Sequence, residues 1–245
     1  MPELDNRIAL VTGGSRGIGK AIALALANAG AGVAVNYRER AEEATSVVEA
    51  IHQSGGRAIA VGADVSLANS VRDIVSTIEA QLGPIDILVN NAGISIMRGL
   101  DDITEADFDR TIAVNLKSAF LCTQAALPHM RTRRWGRIIN ISSIGARIGA
   151  RSSSVAYGAA KAGLEGLTRA YALRLAPEGV TVNAVAPGLI DTEMGKPLIE
   201  AGIAAGIPVG RVGTGDDIAQ SVLLLVQDGF ITGQTIAVNG GSLFS

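Results

Sequence analysis

The 245-residue chain is 48% hydrophobic and 18% charged, a balance that excludes disorder and suffices for one large α/β core. A net charge of -2 and a pI near 5.7 give no basic field for nucleic acid or an anionic membrane. With one cysteine there is no internal disulfide and no cysteine metal motif, and Cys122, within AFLCTQAAL, reads as packing.

The opening residues, MPELDNR, are charged and lack the apolar core of a secretory signal, and no apolar run approaches a membrane span. The chain therefore reads as soluble and cytoplasmic, with no nucleic-acid or membrane partner and no bound metal.

In chain order, RIALVTG predicts a first strand and IGKAIALALANAG the helix after it. GVAVNY, RAEEATSVVEAIHQSG and RAIAVGADV predict strand, helix and strand. SVRDIVSTIEAQLG and IDILVNNAG repeat the cycle, followed by a long helix around 105–133 and the strand GRIINISS. A helix around 157–176, the strand VTVNAVAPG, a helix near 216–227 and QTIAVNGG complete the series. Gly30 and Gly179 stand where a left-handed cap closes a helix. The basic stretch RTRRWGR at 131–137 reads as a solvated helix end. Continuous apolar strands alternating with helices predict an α/β chain: a single-domain Rossmann fold over 1–245, a doubly wound parallel sheet with helices on both faces.

TGGSRGIG, at 12–19, follows the first strand and opens the first helix. Glycines there permit a tight turn, close approach of backbone amides to a pyrophosphate, and close helix–strand packing. The helix N-terminus adds free N–H groups. Three residues separate Gly13 from Gly17, so the spacing is not GxGxxG, and no Lys-Ser/Thr pair follows, which disfavours an ATP-binding P-loop. The second strand ends in Asn36-Tyr37-Arg38 rather than in an acid that would repel a 2′-phosphate. Arg38, with Arg16 from the glycine turn, offers charge-assisted bonds to that phosphate, so NADP(H) is favoured over NAD(H). Asp64 follows a strand and can accept hydrogen bonds around the adenine, and Asn91-Ala92-Gly93 follow another, with small residues for close cofactor packing.

Tyr157 and Lys161 lie four apart, on one face of a predicted helix. A nearby ammonium favours the phenolate and eases proton exchange, and lysine can also bond the nicotinamide ribose. A serine hydroxyl can hold a carbonyl or alcohol oxygen beside the tyrosine. No GxSxG elbow is present, and His52 and His129 fall in predicted helices with surface or structural roles.

TGGSRGIG, NNAG, Ser143…YGAAK and VNAVAPG, in that order, resemble the classical short-chain dehydrogenase/reductase family along essentially the whole chain. The resemblance implies a catalytic tetrad of Asn115, Ser143, Tyr157 and Lys161. In it Tyr157 exchanges the proton, Ser143 fixes the reacting oxygen, Lys161 lowers the tyrosine pKa and grips the ribose, and Asn115 maintains helix geometry and a water-linked proton path. Ser142 is adjacent and Ser152–Ser154 lie nearer the tyrosine; the family pattern through RIINISS favours Ser143, 14 residues before Tyr157 and slightly farther than is most frequent.

The resemblance also implies cofactor contacts from Gly13, Ser15, Arg16, Gly17, Ile18 and Gly19, from Arg38, Asp64 and Val65, and from Asn91, Ala92 and Gly93. Pro187, Gly188 and Thr192 would border the nicotinamide, and a substrate lid would run over about 189–209, given apolar character by Ile190, Met194, Leu198, Ile199 and Ile203. Within the family the chain is most similar to 3-oxoacyl-[acyl-carrier-protein] reductases of fatty-acid synthesis. That implies NADPH-dependent reduction of a β-keto acyl thioester, with acyl-carrier-protein as a partner, by a homotetramer. Arg134 matches a basic docking position, whereas Glu178 stands where a second basic residue is frequent. A reductase or dehydrogenase of a small ketone, sugar or cyclic alcohol is the alternative, and a non-catalytic dinucleotide-binding scaffold a distant one.

Overall fold

A computed structural model describes residues 4–149 and 154–244, so Ser152 and Ser153 lie outside the described residues. The chain alternates β1 (Ile8–Val11), α1 (Gly17–Asn28), β2 (Gly32–Tyr37), α2 (Ala41–Gln53), β3 (Ala58–Gly62), α3 (Ala68–Gln81) and β4 (Ile87–Asn90). It continues through α4 (Glu105–Ile112), α5 (Ser118–Arg133), β5 (Gly136–Ile141), α6 (Gly145–Ile148), α7 (Val155–Leu175) and β6 (Val180–Pro187). It closes with α8 (Lys196–Glu200), α9 (Gly215–Gln227) and β7 (Thr235–Val238). The strands form one parallel sheet in the order β3-β2-β1-β4-β5-β6-β7.

The continuous apolar strands arise because both faces of the sheet are covered. Side chains alternate across the pleat, so Ala9 and Val11 enter one core with α1, α2 and α9, through Ile22, Leu26, Val47, Ile51 and Val222. Ile8 and Leu10 enter the opposite core with α3, α5 and α7, through Ile74, Ile78, Met130 and Leu175. Cys122 is fully buried in that second layer, and burial pushes its thiol up to about 12, which keeps it an unionised packing group. Gly30 and Gly179 have φ of +100° and +81°, the left-handed conformation expected of helix closers. Strand order reverses at β1, so the ligand crevice of such a sheet opens at the carboxyl ends of β1 and β4. Among the described residues, no helix is long and apolar enough to cross a membrane.

Two sequence expectations need correction. The long helix around 105–133 is interrupted by a π-helical segment, Ala113–Lys117, between α4 and α5. One extra residue per turn is accommodated there where Asn115 turns its amide onto the backbone of Ile94, a long-range bond invisible to local periodicity. The stretch RTRRWGR is only partly a solvated helix end. Arg134 (φ +51°) does terminate α5, but Arg137 lies within β5 with 7% exposure. Its guanidinium and that of Arg7 both lie over the Trp135 ring, at 4.4 and 3.7 Å, and its Nε donates to the Val226 carbonyl. Burial, with Arg7 adding to it, holds the Arg137 pKa below the ordinary guanidinium range.

Candidate active site

The glycine turn is stitched to three strands. The Thr12 hydroxyl, just past β1, accepts from the Asn91 and Ala92 N–H groups at 2.9 and 3.0 Å. Asn91 returns its side-chain amide to the Thr12 and Gly13 carbonyls, at 2.9 and 3.0 Å. From β2, the Asn36 side chain accepts from Gly13 N–H at 3.3 Å and donates to the Val61 and Ala63 carbonyls. Thr12 and Asn36 were not singled out in the sequence, because only the tertiary contacts give them this role.

Gly13 and Gly17 have φ of +62° and +52°. A Cβ on Gly19 would stand 2.3 Å from the Gly13 carbonyl oxygen, so close packing of turn and helix excludes any side chain. Ser15 is buried and Ile18 packs against the core beside it. Helix α1 starts at Arg16 and Gly17 with no side-chain cap and no acid in its first turn. Its first N–H groups are therefore left for a ligand, and those conditions fit a dinucleotide pyrophosphate.

At the neighbouring corner, Arg38 pairs with Glu39. Arg16 pairs with Glu193, and Arg40 reaches the same Glu193 carboxylate at 3.2 Å while also bonding Glu43 at 2.6 Å. Arg40 was missed in the sequence, although Arg38-Glu39-Arg40 holds two cations at the same strand end. Asp64 accepts from the Ser66 N–H and hydroxyl at 2.9 and 2.6 Å and from Arg110 at 3.0 Å. Burial opposes ionisation of Asp64, but the Ser66 bonds and the Arg110 guanidinium outweigh it and hold the carboxyl below its ordinary range. The same bonds tie α4 to the end of β3, beside the buried Val65.

Past β4, Gly93 brings two polar groups close to the backbone: a Cβ there would lie 3.3 Å from Asn115 Oδ1 and 3.6 Å from Lys161 Nζ. Asn115 accepts from Ile94 N–H at 2.7 Å and donates to the Ile94 carbonyl at 2.8 Å. Lys161, 4% exposed on α7, donates to the Ile141 carbonyl at the end of β5 at 2.7 Å. Burial lowers its pKa to about 8. Its Nζ stands 5.7 Å from the Tyr157 ring centroid, one turn away on the same helix.

Ser143 stands beside the Tyr157 phenol and lowers its pKa a little, whereas burial, the larger effect, pushes it above 10. The Lys161 ammonium, expected to lower that pKa, is directed at the Ile141 carbonyl. Ser143 Oγ accepts from Gly145 N–H at 3.0 Å. Ser142 points the other way, to the Lys161 carbonyl and Glu165, at 3.3 and 3.2 Å.

Pro187 ends β6, and a Cβ on Gly188 would lie 2.8 Å from Asn239, so β7 approaches there only because the residue is glycine. Thr192 rests its methyl 3.2 Å from where a Gly17 side chain would begin, and its hydroxyl accepts from Gly195 N–H at 3.1 Å. The stretch after it carries α8 and a 3₁₀ turn, Ile203–Gly206. Of the four tetrad candidates, Ser143 stands beside Tyr157, and Lys161 and Asn115 converge behind Gly93; the cofactor candidates line the adjoining strand ends.

A glycine turn at the reversal of a parallel sheet, beside a half-buried tyrosine and a buried lysine on one helix, defines a nicotinamide-dinucleotide oxidoreductase. The chain belongs to the short-chain dehydrogenase/reductase family. The family model described as enoyl-(acyl carrier protein) reductase matches residues 13–242. The chain is 45% identical over 238 residues to 3-oxoacyl-[acyl-carrier-protein] reductase FabG of Staphylococcus aureus, covering 95% of this chain and 96% of that protein. It is 44% identical over 248 residues to (2S)-[(R)-hydroxy(phenyl)methyl]succinyl-CoA dehydrogenase subunit BbsD of Thauera aromatica, covering 99% of each. A solved structure of a blue fluorescent protein from a metagenomic library, in complex with NADPH, superposes with a TM-score of 0.91 at 39% identity, over 98% of this chain and 99% of that one.

Proposed function

We propose that the protein reduces a 3-oxoacyl thioester to the 3-hydroxyacyl product, using NADPH. The observation that carries this reading is the grouping of Tyr157 with Lys161, whose Nζ lies 5.7 Å from the phenol ring centroid, and with Ser143, in a pocket that raises the phenol pKa. A tyrosine so held is protonated at neutral pH, the form a reductase needs to donate a proton to a developing alkoxide.

When bound, the dinucleotide supplies the hydride for C3 of the substrate. Ser143 holds the C3 oxygen by hydrogen bonding, and Tyr157 gives that oxygen the proton from its Oη, completing the alcohol. Lys161 bonds the ribose, and Asn115 positions the π-helical segment and the end of β4. Gly13, Ser15, Arg16, Gly17, Ile18 and Gly19 hold the pyrophosphate, while Asp64 and Val65 meet the adenine. Arg16, Arg38 and Arg40 meet the 2′-phosphate. Asn91, Ala92, Gly93, Pro187, Gly188 and Thr192 border the nicotinamide, and residues 189–209 close over the substrate.

The full-length similarity to a 3-oxoacyl-[acyl-carrier-protein] reductase supports a thioester, with acyl-carrier-protein as its bearer. Glu178, unfavourable for an acidic carrier, is bonded by Arg131, so its charge is matched within the protein, beside Arg134 on the same surface. The similarity to a succinyl-CoA dehydrogenase subunit favours a second reading, a thioester or ketone acted on without the carrier protein. We place the protein in the cytoplasm as a homotetramer, to which exposed Leu173 and Phe230 offer apolar surface.

The test is NADPH oxidation followed by absorbance with acetoacetyl-acyl-carrier-protein, acetoacetyl-CoA and simple ketones, with NADH in parallel. Selective turnover of the carrier-bound substrate is the expected result. Turnover of ketones alone, by protein that binds NADPH, would replace the substrate assignment, and a single-subunit mass in light scattering would overturn the tetramer.

A further inference from the structure

The carboxylate of Glu193 joins the lid to two of the three arginines at the adenosine corner. Arg16 comes from the glycine turn and Arg40 from the residue preceding α2, 153 positions before Glu193. The lid base on the other side of Glu193 is fixed by backbone: Asp191 N–H donates to the Gly213 carbonyl at 2.8 Å, and Gly213 N–H to Leu189 at 3.0 Å. Thr192, the preceding residue, packs over Gly17. One anionic side chain thus straps the root of the lid across the mouth of the dinucleotide crevice, held by the cations available to a 2′-phosphate.

We propose that Glu193 is a specificity-determining residue that competes with the cofactor 2′-phosphate for Arg16 and Arg40. The inference rests on the NADP(H) reading above. A 2′-phosphate is a stronger bidentate acceptor for guanidinium than one shared carboxylate, so its arrival releases Glu193 and with it the strap. A dinucleotide with a free 2′-hydroxyl makes no such demand and leaves Arg16–Glu193–Arg40 intact. Lid attachment is thereby linked to which cofactor is bound, and part of the phosphate's binding energy is used to displace an internal anion. Glu43 in α2 shares Arg40 with Glu193, and Glu39 at the β2 end pairs with Arg38, so Glu193 is the member of this acidic set that belongs to the lid.

The pairs are about half exposed, with side-chain exposures of 46% for each arginine and 60% for Glu193. Exposed pairs are individually weak, which sets the expected effect at about two- to fivefold in affinity. The experiment is equilibrium titration of the full chain with NADPH, NADH and 2′-phospho-ADP-ribose, by calorimetry, at low and high salt. In Glu193→Gln, NADPH and the phosphorylated fragment should bind about two- to fivefold more tightly, NADH should be unchanged, and the gain should shrink at high salt. Arg40→Leu should weaken NADPH and leave NADH unchanged, a readout independent of the first variant. Preferential NADPH binding by the wild type with an unaltered NADPH/NADH ratio in Glu193→Gln would overturn the competition alone. Preferential NADH binding by the wild type would overturn the NADP(H) reading, and the competition with it.

Discussion

Asn115 and Ile94 exchange two hydrogen bonds, the side-chain amide of one answering both backbone groups of the other at 2.7 and 2.8 Å. The pair joins the π-helical segment between α4 and α5 to the loop leaving β4. Asn115 is 2% exposed, so truncating it strands a donor and an acceptor of Ile94. Asn115→Ala should lose about 1–3 kcal/mol in urea denaturation, together with turnover. Retained stability would show that the segment is held by other contacts.

Ser142 and Ser143 should separate cleanly. Ser143→Ala removes the hydroxyl beside the Tyr157 phenol and should abolish most turnover with little change in melting temperature. Ser142→Ala removes buried bonds to Lys161 and Glu165 and should cost about 1 kcal/mol of stability. The opposite pattern in activity would reassign the serine.

Replacing Tyr157 by phenylalanine keeps the ring and deletes the proton. Turnover should fall by about 10² to 10⁴, with NADPH affinity within twofold of wild type in a fluorescence titration. Unchanged turnover would remove Tyr157 from the proposed chemistry.

Lys161 also makes stability depend on pH. Burial holds its pKa near 8 against 10.5 in the unfolded chain, so between those values the unfolded state binds more protons. Stability from this residue is present above 10.5, falls as pH drops, and is lost through pH 8. Tyr157, with its pKa raised above 10, acts in the reverse sense only at higher pH. From pH 8 to 10 the cofactor-free wild type should therefore gain stability relative to Lys161→Met; parallel denaturation midpoints for the two proteins would count against a buried Lys161.

Local sequence was sufficient for the parallel α/β sheet, because strands such as ILVN and VTVNAVAP, mostly apolar with no alternating polar face, need cover on both faces. It also sufficed for the glycine turn and for the i, i+4 placement of Tyr157 and Lys161, since both follow from short-range geometry. The break in the 105–133 helix was not legible, because its partner Ile94 lies 21 residues away. Nor was the destination of the Lys161 ammonium, which depends on the Ile141 carbonyl 20 residues upstream, nor the meeting of Arg16 and Arg40 at Glu193. Periodicity and propensity act over a turn or a strand, whereas hydrogen-bond direction, burial and charge pairing are settled only when distant segments share one desolvated site. Chain order thus determined which groups are present and on which element each stands; packing decided which of them meet and in what charge state.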